Sequence, residues 1–222
     1  MTSTITIFLD AMILRFAVAE EPAITKQTMR WGDRDITLDV SATVPRPRLQ
    51  GWIQYEIDCL PRIAEFVRCG QLEPCINNEL RLEVACLKFG GLVVSELSVF
   101  HGIRFRSLND PFPYSRVVAS ALHSSTEVDD MRESVFASDF DRRFNDIKQA
   151  AGGNKNADAF HILSAERAAV DYFVTTDKAL INSLRNQRQV QLALKLVYPS
   201  ELLRDLCGWP PNPALKSDMH WG

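Results

Sequence analysis

The amino-acid sequence predicts an α/β fold, a three-layer α/β/α sandwich around a central, mostly parallel sheet, with insertions. Short apolar runs that predict buried strands alternate with helical segments at both ends of the 222-residue chain. This alternation is typical of a parallel sheet covered by helices. Asp10 directly follows the first predicted strand and Asp177 lies just beyond a later one, and the working residues of open parallel sheets gather beyond the carboxyl ends of the strands.

The N-terminal part of the chain predicts a strand, a helix and a hairpin. Residues 5–9 are apolar and β-branched, which predicts a buried strand, and residues 12–19 predict a helix that Pro22 ends. Two extended segments, 25–31 and 36–41, flank Gly-Asp-Arg-Asp and predict a hairpin around that turn.

The rest of the chain continues the alternation. Residues 49–68 place apolar side chains on one helix face, with a kink near Pro61. The remaining predicted elements are a strand at 74–76, a helix capped by Asn77 or Asn78 and stopped by Gly90-Gly91, extended segments at 92–100 and 103–108, helices at 114–122 and 130–150, a helix to residue 169 capped by Asn156, a strand at 172–175, a helix at 178–185, a strand at 194–198 and a helix at 201–206.

The length suits one elaborated domain rather than two independent ones. We predict a single domain over residues 1–206, with an inserted hairpin at about 25–48 and an elaboration at about 97–150. Residues 207–222 contain three prolines, and we expect them to form a loose C-terminal tail. The hairpin and the 97–150 span are expected to select the substrate or a partner.

The composition excludes several classes of protein. A net charge of −3 argues against simple coating of duplex nucleic acid. The five cysteines include no C-x-x-C pair, which makes a disulfide framework or a structural zinc site unexpected. The apolar N-terminus lacks a basic segment and is interrupted by Asp10 and Arg15, so we expect no signal peptide and no membrane span. The predicted location is the cytoplasm.

The most informative segment is residues 156–180, NADAFHILSAERAAVDYFVTTDKAL. It places Asp158 at the start of an apolar helix and ends the following strand with Thr-Thr-Asp177. This arrangement resembles the C-terminal half of PIN domains, in which an Asp-Ala pair begins a helix and the next strand ends in Thr-x-Asp or Thr-Thr-Asp. The N-terminal strand followed by Asp10, and Pro-Ser-Glu-Leu at 199–202, are also similar to that family.

The family also has a glutamate on the helix after the second strand, and Glu83 is the best positional match. Glu79 lies one turn earlier on the same helix face and remains an alternative ligand. Glu96 is a weaker third candidate. Four further side chains are expected to surround the ligands and orient them: Glu79, His161, Thr175 and Thr176.

The resemblance implies a metal-dependent endoribonuclease that hydrolyses RNA phosphodiester bonds and leaves a 5′-phosphate and a 3′-hydroxyl. It implies a Mg²⁺ or Mn²⁺ cofactor and an RNA substrate, and it leaves open a toxin-like role with an antitoxin-like or other protein partner, and a homodimer. No membrane association is expected. The implied catalytic and metal-binding residues are Asp10, Glu83, Asp158 and Asp177.

The chemistry of these residues supports that expectation. Carboxylates that converge without cations repel one another and are costly to remove from water. A hard divalent ion relieves this repulsion, because Mg²⁺ and Mn²⁺ prefer oxygen ligands. Such an ion lowers the pKa of a bound water and stabilises negative charge that develops on a phosphodiester.

Each candidate also has a purely structural explanation. Asp10 and Asp177 can cap the helices that follow them, and Asp158 can simply lie near a helix N-terminus, where carboxylates are favoured. The glutamates can belong to a solvated helix face, and His161 can be a packed core residue. Four basic residues can either contact phosphate or simply form a solvated face: Arg142, Arg143, Lys148 and Lys155.

Two other function classes compete with the nuclease. A catalytically inactive PIN-like scaffold that binds RNA or protein is one, because Ala11-Met12 follows Asp10 where family members have Thr-Asn. A phosphatase-type enzyme with Asp10 as nucleophile is the other. It ranks low, because such enzymes usually have a second aspartate at the position of Met12.

Overall fold

The computed structural model describes residues 4–86, 95–112, 141–153, 155–187 and 190–215. Its strands in chain order are β1 (Ile5–Leu9), β2 (Glu20–Trp31), β3 (Arg34–Pro45), β4 (Leu72–Ile76), β5 (Arg106–Ser107), β6 (Tyr172–Val174) and β7 (Lys195–Val197). Five strands form a parallel sheet in the order β5-β4-β1-β6-β7, and β2 and β3 form a separate antiparallel ribbon.

Helices flank the parallel sheet, so the fold is α/β with three layers, as the sequence predicts. Among the described residues, no helix has the length and apolar character needed to cross a membrane. The described helices are α1 (Ala11–Phe16), α2 (Trp52–Asp58), α3 (Leu60–Arg68), α4 (Asn78–Cys86), α5 (Arg142–Ala150), α6 (Asn156–Arg167), α7 (Lys178–Asn186) and α8 (Pro199–Cys207).

The centre of the core is β1, which lies between β4 and β6. Ile7, Phe8 and Leu9 are fully buried, because both faces of a parallel sheet are covered by helices. The Phe8 ring stacks on Phe173 of β6 with 5.1 Å between ring centroids. Removing such a buried ring leaves a cavity and costs about 3–5 kcal/mol of stability.

The strand order brings three chain segments to one end of the sheet. The chain builds β4 and β5 on one side of β1 and then returns to build β6 and β7 on the other side. Asp10, Asn77 and Thr175 follow β1, β4 and β6, and therefore lie at the point where the strand order reverses, the usual position of a binding crevice. The Asp10 amide donates to the Val174 carbonyl at 3.1 Å, which joins two of these segments directly.

Two N-terminal boundaries differ from the prediction. Helix α1 ends at Phe16 rather than at residue 19, and the ribbon begins at Glu20 rather than near residue 25. Pro22 therefore lies within β2 instead of ending a helix. A two-stranded ribbon has an outer edge on each strand, and proline is tolerated there because no backbone donor is needed.

Three further local predictions are corrected or refined. The predicted helix at 49–68 is two helices, α2 and α3, which meet at Cys59, with Pro61 in the first turn of α3. Proline is favoured in a first turn, where its missing donor has no helical partner. Residues 95–100 form turns rather than a strand. Asn156 does not cap α6, because it is the first helical residue.

Several predictions lie outside the described residues. These are the helix stop at Gly90-Gly91, the helix at 114–122, the first part of the extended segment at 92–100, and residues 130–140 of the helix that ends as α5.

The chain after α8 packs against α2, so the expectation of a loose tail is wrong for this part. Asn212 is 2% exposed, and its amide donates to the Trp52 carbonyl and to the Glu56 carboxylate, both at 2.8 Å. Glu56 also accepts from the amide and the hydroxyl of Ser200, each at 2.8 Å. One buried carboxylate therefore ties α2, α8 and residue 212 together.

Candidate functional site

Asp10 lies at the centre of the candidate site. Its carboxylate accepts from the Ala11 amide and from the Thr175 hydroxyl, both at 2.7 Å, so it caps α1 and is also held by the loop after β6. The residue is 5% exposed. Burial and then the negative charge of Asp158 raise the pKa of Asp10 from 3.8 to about 7, against the opposing effect of the Thr175 hydrogen bond.

Asp158 and Asp177 share one ammonium group. The Lys155 Nζ lies 2.6 Å from Oδ2 of Asp177 and 3.3 Å from Oδ2 of Asp158. Burial raises the pKa of Asp158 even though Lys155 acts to lower it. Burial also acts to raise the pKa of Asp177, but hydrogen bonds from Lys155 and from the backbone outweigh it, and that pKa is lowered. Lys155 thus neutralises part of the negative charge of these two aspartates.

Asp177 has a structural role beside its place in the cluster. Its Oδ1 accepts from the Leu180 amide at 2.9 Å, so it caps α7. The Thr175 hydroxyl accepts from the Asp177 amide at 3.0 Å while it donates to Asp10. Capping and site membership, which the sequence presents as alternatives, therefore coexist in Asp177 as they do in Asp10.

Glu83 is held by the buried ring of His161. The His161 Nε2 lies 3.1 Å from Oε2 of Glu83, and its Nδ1 lies 3.2 Å from the side-chain nitrogen of Asn77. The Asn77 oxygen accepts from the Leu80 amide, which fixes the orientation of the Asn77 side chain. Nδ1 of His161 is consequently an acceptor, and the ring proton on Nε2 is donated to Glu83.

His161 is a packed residue, as its structural explanation requires. It is fully buried, and its ring lies 5.7 Å from that of Phe8. Through its two nitrogens it links α4 to α6, so it positions Glu83 rather than standing free in the site.

The three candidate glutamates have different environments. Glu83 contacts His161 and its charge acts to raise the pKa of Asp10. Glu79 is 1% exposed in the first turn of α4, whereas Glu96 is exposed in the turns at 95–100. Its contact with His161 and its effect on Asp10 connect Glu83 to the other candidate acids.

The acids form one electrostatic cluster. The pKa of Asp10 is raised by Asp158 and Glu83, after burial, and Asp177 acts to raise that of Asp158. We call Asp10, Glu83, Asp158 and Asp177 the acidic cluster. All four predicted ligands are thus near enough to influence a neighbour, although they come from four separate parts of the chain.

The donor chemistry of the acidic cluster fits a hard divalent ion, because it consists of carboxylates that disfavour one another's charge. Two buried oxygens next to it in the chain, Oγ1 of Thr176 and Oδ1 of Asn156, have no hydrogen-bond partner among the described residues. A water or a ligand within reach of either oxygen would satisfy it. The arrangement of the side chains is less favourable for a metal ion. Over the described ranges, no group of three or more His, Cys, Asp or Glu side chains is arranged to hold one.

Sequence reasoning missed two contributors to the site. Lys155 was expected either to contact phosphate or to lie on a solvated face, but it pairs with two acids of the cluster. Its spacing of three residues before Asp158 was the available signal. Asn77 was expected only as a helix cap; it is one, and its side chain also contacts His161 and Ser164.

A separate basic cavity lies beside β5. Its volume is about 1140 Å³, and it lies between α4 and residues 100–107. Its lining includes Arg81, Arg104, Arg106 and Phe105 and none of the acidic cluster. Arg106 is paired with Glu73 at 2.9 Å, whereas Arg81 and Arg104 are both exposed and have no described ion pair.

Among the other basic candidates, Arg143 is engaged elsewhere. It forms a two-pronged hydrogen bond with Glu166, at 2.9 and 2.6 Å, and donates to the Gln191 carbonyl. This arrangement fits a structural role in joining α5 to α6.

Comparisons with protein-family models, with curated proteins and with solved structures found no match for this chain.

Proposed function

We propose that this protein is a metal-dependent endoribonuclease whose acidic cluster binds Mg²⁺ or Mn²⁺. The observation that carries the proposal is the state of Asp10, a buried carboxylate whose pKa is raised to about 7 by burial and by the neighbouring Asp158. Perturbed carboxylates beyond the carboxyl ends of parallel strands are typical of functional sites. The resemblance of the sequence to PIN domains supports nuclease chemistry as the use of such a cluster.

The residues of the cluster have distinct roles in this proposal. Asp10 and Asp158 are the residues expected to hold the ion, with Glu83 and Asp177 completing the set. Thr175 fixes the Asp10 carboxylate by a 2.7 Å hydrogen bond. When bound, the ion supplies a water of lowered pKa and stabilises charge on the phosphate.

Two positioning groups prepare the cluster. His161 donates to Glu83 and holds that carboxylate toward α6. Lys155 holds Asp158 and Asp177 together by its ammonium group. A cation of higher charge between these two aspartates would replace Lys155 there, because their interaction with a divalent ion is stronger.

The basic cavity supplies a place for the RNA backbone. Arg104 and Arg81 provide positive charge for phosphate, and Phe105 provides an aromatic ring for stacking of a base. A local basic surface of this kind removes the objection that the whole chain has a net charge of −3. We propose RNA as the substrate and the cytoplasm as the location.

A second candidate function is an inactive PIN-like scaffold that binds RNA or a protein such as an antitoxin. Two observations favour it: the Lys155 ammonium already pairs with two acids, and the described residues include no group arranged for metal binding. The two candidates differ in whether the protein cleaves RNA.

Cleavage of end-labelled RNAs with Mg²⁺ or Mn²⁺, and with excess EDTA, separates the candidates. The nuclease proposal predicts ion-dependent cleavage with 5′-phosphate products, which Asp10→Asn abolishes. Asp33→Asn, the same replacement at an exposed residue of the ribbon turn, is the control and should cleave normally. Cleavage that persists in EDTA rules out the metal mechanism. No cleavage of varied RNAs with either ion supports the scaffold.

A further inference from the structure

The ribbon formed by β2 and β3 projects from the fold with an amphipathic pattern. Each strand has 12 residues, and the strands are paired along their full length. Among the described residues, neither strand contributes a side chain to the hydrophobic core. A two-stranded ribbon is marginally stable alone, and one of this length is about 40 Å long, so it needs support from another surface.

One face of the ribbon is mainly apolar and the other is mainly polar, with Ile24 as the large apolar residue on the polar side. Paired residues of an antiparallel ribbon lie on the same face, and successive residues alternate between faces. The polar face carries the cross-strand pairs Lys26–Asp39 and Arg30–Asp35, whose charges compensate each other. The other side, which we call the apolar face, contains Met29, Trp31, Ile36, Leu38, Val40 and Val44.

The apolar face is most accessible in the half near the turn. Trp31 is 71% exposed, Leu38 45%, Met29 44% and Ile36 38%. A continuous set of exposed large apolar side chains marks an interaction surface. Such a face suits a protein surface better than a nucleic acid, because its charged groups are confined to its two ends.

The apolar face is complementary to itself in size. Large side chains lie in the half near the turn, where Met29 pairs with Ile36. Small side chains lie in the half near the fold, where Ala23 pairs with Ala42. When two such faces pack in antiparallel orientation, the large half of each copy lies against the small half of the other, as in the packing of two sheets about 10 Å apart.

The antiparallel orientation also brings opposite charges of the two copies together. Arg34, paired with Trp31, lies at the turn end of the apolar face, and Glu21, paired with Val44, lies at the opposite end. Antiparallel packing brings Arg34 of one copy to Glu21 of the other at both ends of the contact. Parallel packing would instead place like charges together, which is unfavourable.

We propose that the apolar face binds the same face of a second copy of this chain in an antiparallel, two-fold arrangement. Such a contact is isologous and closed, so it produces a dimer rather than a filament. It covers the exposed tryptophan and supports a ribbon that is marginal alone. The inference is independent of nuclease activity, since no residue of the acidic cluster takes part.

The test is the molar mass of the full-length chain, measured by light scattering after size-exclusion chromatography. The wild type should have twice the chain mass at micromolar concentration. Leu38→Arg buries a charge in the contact and should produce a monomer with an unchanged circular dichroism spectrum. Ser41→Arg, on the polar face of the same strand, is the matched control and should remain dimeric.

Small-angle scattering of the wild-type dimer then tests the orientation. The antiparallel arrangement places the two folded units at opposite ends of the paired ribbons and predicts an elongated particle. A compact dimer with the units side by side overturns the orientation. A monomeric wild type, or a dimer that Leu38→Arg leaves intact, overturns the proposal, and a monomer would assign the apolar face to another segment of this chain or to a different protein.

Discussion

Replacing Asp10 by asparagine is expected to change how the stability of the metal-free protein depends on pH. The pKa of Asp10 is about 7 in the folded protein, against an ordinary value of 3.8, because the residue is buried and lies near Asp158. Between these two values the folded protein binds more protons at this position than the unfolded chain. Stability therefore falls as pH rises through that window.

The magnitude follows from the two pKa values. A tenfold difference in proton affinity corresponds to about 1.4 kcal/mol. Ionisation of Asp10 therefore costs the folded state about 2 kcal/mol at pH 5 and about 4 kcal/mol at pH 8. Asparagine has no such cost, although one of the two hydrogen bonds that Asp10 accepts is lost, at about 1 kcal/mol at either pH. The free energy of unfolding of Asp10→Asn, relative to wild type, should thus rise by about 2 kcal/mol from pH 5 to pH 8.

Urea unfolding of both proteins in EDTA at pH 5 and pH 8 measures this difference. Asp33→Asn is the control, since Asp33 is exposed, and its difference from wild type should be the same at both pH values. If Asp10→Asn behaves like this control, Asp10 is not a buried carboxylate disfavoured by its neighbours, and the reasoning about the acidic cluster is refuted.

Four further predictions concern the cluster and the basic cavity. In EDTA, Asp158→Asn should melt at or above the wild type, because burial disfavours the charge of the Asp158 carboxylate. The variant should nevertheless lose RNA cleavage, and Mn²⁺ should raise its melting temperature less than that of the wild type. An equal rise in both proteins would count against this prediction. Lys155→Gln removes a competing cation and should bind Mn²⁺ several-fold more tightly in calorimetry, whereas weaker binding would show that Lys155 supports the ion. Glu83→Gln should reduce cleavage more than Glu79→Gln, and near-normal turnover would move the assignment to Glu79. Arg104→Glu should weaken RNA binding about tenfold or more in a filter assay without changing Mn²⁺ affinity, and unchanged RNA binding would exclude the cavity.

The fold class could be predicted because its signals are local. The segments Ile5–Leu9 and Tyr172–Val174 are continuously apolar because both faces of the sheet are buried, and such runs are visible in the sequence. The position of Asp10 beyond the first of these strands then follows from the behaviour of parallel sheets. Boundaries were less predictable: Pro22 suggested the end of a helix, but an edge strand accepts proline equally well.

The contacts that organise the site could not be predicted in the same way. The sequence names Asp158 and Asp177 as candidates, but the position of a flexible lysine side chain between them depends on the packing of α6 against the loop after β6. The link from Glu83 through His161 to Asn77 likewise joins residues 78 and 84 positions apart in the chain. Such long-range hydrogen bonds have no local signature.

The amphipathic character of the ribbon could be predicted only in part from the sequence. The turn at Gly32 is visible in the sequence, and the glycine adopts a φ of 63°, which the turn requires. The pairing register of Met29 with Ile36 and of Lys26 with Asp39 was not predicted, and only the register shows that apolar and charged residues separate onto different faces.

The most direct test of the central claim is a crystal structure of the protein soaked in Mn²⁺, with anomalous diffraction recorded for the metal. The account predicts one anomalous peak bound by carboxylate oxygens of Asp10 and Asp158, with Glu83 and Asp177 around it and the Lys155 ammonium displaced. The absence of a peak at saturating Mn²⁺, or a peak bound elsewhere on the protein while Lys155 still bridges Asp158 and Asp177, would contradict it.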